Sequence, residues 1–140
     1  MDKEVKFIDA NVFLEVFLLD KNWESAKEFL EKVATGEIEA ATSDFIAYSI
    51  LLQIQNKLRS TEAMKNFVKF LGNMKGMMIL RFTPAVLMGC IQTMEKYNLD
   101  FDDSVQASLM NAFGIKEIVS FDKDFDKVDW IKRVSPKESL

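Results

Sequence analysis

The sequence predicts an α/β/α sandwich, an α/β fold with a mostly parallel central sheet, formed as a single domain over residues 1–140. Three observations carry that expectation. Short apolar, β-branched runs alternate with longer stretches of helical periodicity, the order that arises when helices cross between parallel strands. Acidic residues sit beside those runs: Asp9 after Val5 to Ile8, Asp102 and Asp103 at the head of an apolar helical stretch, and Asp122 and Asp124 after Ile118 to Phe121. A chain of 140 residues that is 49% apolar and 29% charged is also long enough for one core and short for two.

Taken in order, Val5 to Ile8 reads as a first strand and Asn11 to about Leu19 as a short apolar helix. Asn22 is placed to cap a second helix that carries Ala26, Phe29, Leu30 and Val33 on one face and stops at Gly36. Ile38 to Ala41 reads as a strand ending at Thr42-Ser43, which can cap a helix to about Leu58. Ser60-Thr61 can cap the next, with Phe67, Val68 and Leu71 inward and Gly72-Asn73 at its end. A third strand spans Met77 to Phe82. Thr83-Pro84 combines a cap with a first-turn proline and opens a helix to about Tyr97, with Asn98 closing it. A further helix starts near Asp103 and stops at Gly114. Glu117 to Phe121 is the fourth strand and Ile131 to Val134 a fifth, at an edge. Lys137 to Leu140 reads as a frayed tail.

Composition removes several chemistries. With no histidine there is no Ser-His-Asp or Cys-His machinery and no histidine-bound zinc. The single cysteine, Cys90, cannot form an intrachain disulfide and falls in an apolar helical stretch, so it reads as buried packing. No apolar run reaches the ~20 residues of a membrane span, and the charged opening, Met1 to Lys6, lacks the pattern of a signal peptide. A cytoplasmic protein is expected. Its net charge of −4 is unevenly spread. Residues 51–81 carry Lys57, Arg59, Lys65, Lys69, Lys75 and Arg81 against Glu62 alone. A basic middle beside acidic ends suits a phosphate-backbone substrate, although the same lysines serve equally as the solvated faces of two helices.

In an open parallel sheet the carboxyl ends of the strands face one crevice. Carboxylates gathered there repel one another unless a hard cation such as Mg²⁺ or Mn²⁺ joins them. Each acid alone has a structural explanation: Asp9 as a turn residue, Asp103 as a cap, Asp122 and Asp124 as surface charges. Their combination points to a metal site. Asn11 is placed to orient Asp9 or a bound water, and Ser120 to donate to Asp122 or to a phosphate oxygen.

These residues resemble the PIN-domain family, which includes VapC-type toxins. The resemblance rests on Ile8-Asp9-Ala10-Asn11, on Leu99-Asp100-Phe101-Asp102-Asp103-Ser104, and on Ser120-Phe121-Asp122-Lys123-Asp124-Phe125, and it extends over essentially the whole chain. It implies Mg²⁺- or Mn²⁺-dependent hydrolysis of RNA phosphodiester bonds. By motif position it implies Asp9 and Asp103 as direct, catalytic ligands, Asp122 as support for the metal or its water, and Asp102 and Asp124 as reserve carboxylates. It also implies a toxin partnered by an antitoxin protein, and pairing into a homodimer through the third and fourth helices, where Tyr48, Leu51, Leu52, Phe67, Phe70 and Leu71 are gathered.

One position departs from the family. The Glu expected early in the helix after the second strand is replaced by Ser49, and Gln53, one turn on, is also neutral. The lost anion predicts a weaker grip on a divalent ion. Two alternatives therefore stand beside the ribonuclease: a catalytically weakened PIN-like module that binds RNA or protein, and a phosphatase of the haloacid-dehalogenase type. The last wants Asp-x-Asp where this chain has Asp9-Ala10-Asn11.

Overall fold

The computed structural model describes residues 4–140, so the charged opening Met1 to Lys3 lies outside the described residues. Its five strands are β1 (Lys6–Ile8), β2 (Ala40–Ser43), β3 (Met77–Leu80), β4 (Glu117–Val119) and β5 (Lys132–Val134). They form one sheet in the order β3-β2-β1-β4-β5, and every pairing is parallel. The helices are α1 (Ala10–Phe17), α2 (Trp23–Thr35), α3 (Asp44–Leu58), α4 (Thr61–Gly72), α5 (Pro84–Tyr97) and α6 (Phe101–Ala112). The predicted α/β/α sandwich and its element order are what the chain adopts.

Local chemistry sets the helix ends. Ser43, Ser60 and Thr83 each accept a hydrogen bond from the backbone three residues on, and Pro84 opens α5. Gly36 and Gly114 take the left-handed conformation (φ 86° and 69°) just beyond the last turns of α2 and α6. Asn98 does the same after α5, at φ 55°.

Because β1 and β4 are buried on both sides, they read as continuous apolar runs, with Phe7, Ile8, Ile118 and Val119 fully buried. One aromatic cluster ties α1 to α4: Phe67 meets Phe13 and Phe17 edge-on, with centroids 5.9 and 5.3 Å apart. Phe67 is thus a core residue, not part of an outward face. Val68, expected inward, is 54% exposed and lines an apolar groove with Leu51 and Met64. Cys90 is fully buried as expected.

Several expectations shift: β1, β3, β4 and β5 are each shorter than the apolar run that announces it. Thr42 and Ser43 belong to β2 because they pair with Ile79 and Leu80 of β3. Helix α6 begins at Phe101, capped at Asp100, which places Asp103 inside the first turn. Lys137–Ser139 forms a 3₁₀ turn instead of fraying, held by the Glu138 carboxylate accepting from the Ser135 backbone at 3.0 Å. No helix among the described residues is long and apolar enough to cross a membrane.

Sequential connections from β1 run outward through β2 to β3, then return past β1 to β4 and β5. The strand order therefore reverses between β1 and β4, which opens a crevice at their carboxyl ends.

Candidate metal centre

Asp9 directly follows β1 and Ser120 directly follows β4. The two strands stay in register to their last residues, Ile8 against Val119, and the Asp9 amide donates to the Val119 carbonyl at 3.1 Å. Asp9 is 5% exposed and also caps α1. Its Oδ1 accepts from the Ala10 amide at 2.7 Å, while Oδ2 accepts from Ser120 Oγ at 2.6 Å and Asn11 Nδ2 at 3.2 Å. Burial raises its pKa above the ordinary carboxylate value and outweighs the hydrogen bonds, which lower it. Asn11, expected to orient Asp9 or a bound water, donates to Asp9. Ser120 donates to Asp9 and accepts from the Asp122 backbone amide at 2.9 Å, so it joins the two acidic segments.

Asp103 enters from the other side, on the first turn of α6. It is 7% exposed and its carboxyl is pushed up to about 8, first by burial and then by the charges of Asp102, Asp122, Asp9 and Asp124. Asp122 caps the 3₁₀ turn Lys123–Lys127 by accepting from the Asp124 amide at 2.9 Å, which curls Asp124 back toward the cluster. Asp103, Asp122 and Asp124 each offer a carboxylate oxygen, and these oxygens lie within 4.8 Å of one another.

The tight triad is thus Asp103, Asp122 and Asp124. Asp9 lies outside it and interacts electrostatically with Asp103 and Asp122. Asp102 is exposed beside it. Asp124 also makes an exposed ion pair with Lys127 at 3.8 Å.

Ser49 is half-buried in α3, four residues after Phe45 and so on the same helical face. Phe45 packs edge-on against Phe101, at 6.1 Å between centroids, only two residues before Asp103. That contact turns the Ser49 face of α3 toward the head of α6.

Two neighbours escaped the sequence reading. Arg133 of β5 donates to the Ser120 carbonyl at 3.2 Å and pairs with Asp126 at 2.9 Å, which braces the turn after β4. Gln106 is 3% exposed on α6, where its Nε2 donates to the Asp102 carbonyl at 3.4 Å and its Oε1 has no partner among the described residues. A glutamine three residues after Asp103, inside a run of small and apolar residues, was the available signal.

The donor set fits a hard divalent cation. It consists of oxygens only, it is anionic in excess, its buried members lack a cationic partner among the described residues, and the orphaned Gln106 carbonyl oxygen belongs to the helical face of Asp103.

Comparison with known proteins agrees with this fold. The model of the PIN domain matches residues 6–131. No curated protein sequence matches. Among solved structures, the chain is similar to VapC20 of Mycobacterium tuberculosis, a toxin that cleaves the sarcin-ricin loop, with a TM-score of 0.74 and 14% identity over 91% of this chain and 97% of that one. It is similar to VapBC2 of Rickettsia felis bound to a promoter DNA fragment, with a TM-score of 0.71 and 15% identity over 94% and 98%. A toxin–antitoxin complex from Klebsiella pneumoniae also matches, with a TM-score of 0.71 and 14% identity over 94% and 97%. With a family match spanning β1 to β4 and all six helices, and a switch-point crevice lined by Asp9, Asp103, Asp122 and Asp124, this chain belongs to the PIN-domain family.

Proposed function

We propose that this chain is a ribonuclease that depends on Mg²⁺ or Mn²⁺, acting in the cytoplasm as the toxin of a toxin–antitoxin pair. The observation that carries the reading is the gathering of Asp103, Asp122 and Asp124 at the switch point of the sheet, with buried Asp9 beside them. Asp103, Asp122 and Asp124 would hold the cation, with Asp9 as the deepest anion of the site. A bound Mg²⁺ or Mn²⁺ supplies Lewis-acid polarisation of a phosphodiester and stabilises the charge that develops as it is hydrolysed. The chain's own residues hold the geometry. Ser120 fixes Asp9 through its hydroxyl and Asp122 through the backbone, Asn11 clamps Asp9 from α1, and Arg133 anchors the Ser120 carbonyl. Arg81, exposed just beyond β3 on the same sheet edge, is available to a phosphate group.

The solved relatives include complexes of toxins with antitoxins, and the surface here offers a similar opportunity. Tyr48 and Leu52 of α3 are 66% and 59% exposed, next to the groove of Leu51, Met64 and Val68. We assign this apolar surface to protein contacts, with homodimer formation the simplest. Light scattering at micromolar concentration checks it, and a monomer removes that assignment.

The nuclease is tested with labelled single-stranded RNA and Mn²⁺. Wild-type protein should cut, and chelation or Asp103→Asn should abolish cutting. Intact RNA in the presence of Mn²⁺ that calorimetry shows to be bound would overturn the catalytic reading. It would favour a PIN-like binding module, which the neutral Ser49, where the family resemblance leads one to expect a Glu, supports.

A further inference from the structure

Gln106 is the polar residue at this site that the acidic pattern does not explain. It lies in the middle of α6, where its neighbours Val105, Ala107 and Leu109 are fully buried and a long polar side chain is out of place. Helical spacing sets it on the same face as Asp103, three residues further on. Its Nε2 makes a long contact, 3.4 Å, with the Asp102 carbonyl, and the amide is near enough to Asp9 to help hold its pKa down. Oε1 is buried without a partner. Turning the amide round does not help. A reversed amide would set its carbonyl oxygen against the Asp102 carbonyl, one acceptor against another.

An orphaned acceptor among anions is satisfied by something the anions also attract. We propose that Gln106 is a positioning residue of the cation site: its Oε1 accepts a hydrogen bond from a water of the hydrated divalent ion held by Asp103, Asp122 and Asp124. This rests on the metal reading above. Mg²⁺ gives up its waters reluctantly, and acceptors beyond the direct ligands orient them. An amide supplies such an acceptor without adding another negative charge to a cluster that already repels itself.

Mn²⁺ titration by calorimetry and thermal unfolding without metal, on four proteins, test the proposal. Gln106→Met should weaken Mn²⁺ binding ~10-fold without lowering the metal-free unfolding temperature, since it removes an unsatisfied oxygen. Gln106→Glu should tighten Mn²⁺ binding and lower the metal-free unfolding temperature. If Gln106 acts only by donating to Asp9, Gln106→Glu will repel Asp9 and bind Mn²⁺ more weakly, which overturns the proposal. Unchanged binding by Gln106→Met overturns it too. Asp103→Asn separates the two levels: if it binds Mn²⁺ like wild type, or wild type binds none, the metal reading itself falls. If only Asp103→Asn loses binding, that reading stands and the role of Gln106 does not.

Discussion

The two ends of the β1–β4 pair treat a buried carboxylate in opposite ways. At the amino end, Glu117 is 7% exposed and lies opposite Lys6 in register, and the two side chains form an ion pair of 2.6 Å. At the carboxyl end of the same strands, Asp9 and Asp103 are as deeply buried, and the charges acting on them come from other aspartates. The scaffold evidently accommodates a lysine beside a buried acid. At the carboxyl end, among the described residues, it places none and gathers more acids instead, the pattern expected of a site that takes a cation from outside. A structural carboxylate and a functional one are thus distinguished here by the partner each keeps.

The contrast breaks most directly at Asp103. Asp103→Asn should weaken Mn²⁺ binding by ~100-fold or more, because a direct anionic ligand contributes more than the outer partners whose loss costs ~10–100-fold. The same change should raise the metal-free unfolding temperature by removing a repelled charge. Calorimetry and thermal unfolding read both effects, and a loss of metal-free stability would mean that Asp103 is satisfied within the chain.

The pH dependence follows with its sign. Asp103 ionises near its ordinary 3.8 in the unfolded chain and at about 8 in the fold. Between those values the folded protein retains a proton that the unfolded chain has released. The stabilising contribution is full below about pH 4 and is lost as pH rises through about 8. Metal-free protein should therefore unfold at lower temperature as pH rises across this window. Mn²⁺ binding requires loss of the proton, so the stabilisation it confers should grow over the same range. Paired melting curves from pH 5 to 8.5 (a range chosen to span most of the titration) test it. A flat metal-free profile would sink the assignment of repulsion to Asp103.

The amino end gives the control. Lys6→Met leaves Glu117 buried without its partner and should destabilise the fold by about 2–3 kcal/mol, somewhat under the ~3–5 kcal/mol of fully buried pairs. Adding Glu117→Leu should restore most of that, and neither change should alter Mn²⁺ affinity. Denaturant unfolding measures the stabilities. A metal-affinity change in the single variant would show that the two ends are not independent.

Much of the fold and the acidic half of this contrast was legible in the sequence, for physical reasons, while the pairing of Lys6 with Glu117 was not. Buried parallel strands write themselves as apolar runs, and Ser43, Ser60 and Thr83-Pro84 announce helix starts because backbone amides there need acceptors. The acids at strand ends were visible once parallel connections were assumed. What local pattern could not supply was which oxygens meet. The curl that brings Asp124 to Asp103 depends on Asp122 capping a 3₁₀ turn, and the ties from Ser120 to Asp9 and from Arg133 to Ser120 join elements distant in sequence. Helix faces suffered similarly. Phe67 and Val68 are adjacent, and only the packing of α4 on α1 decides that the first is core and the second lines the groove.

Ser49 offers the smallest effect and the finest distinction. The face it occupies on α3 is turned toward α6 by the contact of Phe45 with Phe101. If that face reaches the acidic cluster, Ser49→Glu adds an anion beside the cation and should tighten Mn²⁺ binding by ~10-fold, about 1.4 kcal/mol at 25 °C. Without metal, the new carboxylate would meet Asp9 and Asp103 with no counter-charge, so the unfolding temperature should fall. RNA cleavage should rise in step with metal affinity, and Asp9→Asn should abolish it in both backgrounds. The opposite movement of the two stabilities matters most, because a glutamate on an unrelated exposed surface would shift neither. Unchanged Mn²⁺ affinity with an unchanged metal-free melting curve would place Ser49 outside the site, and the carboxyl edge would then work with the acids of β1, β4 and α6 alone.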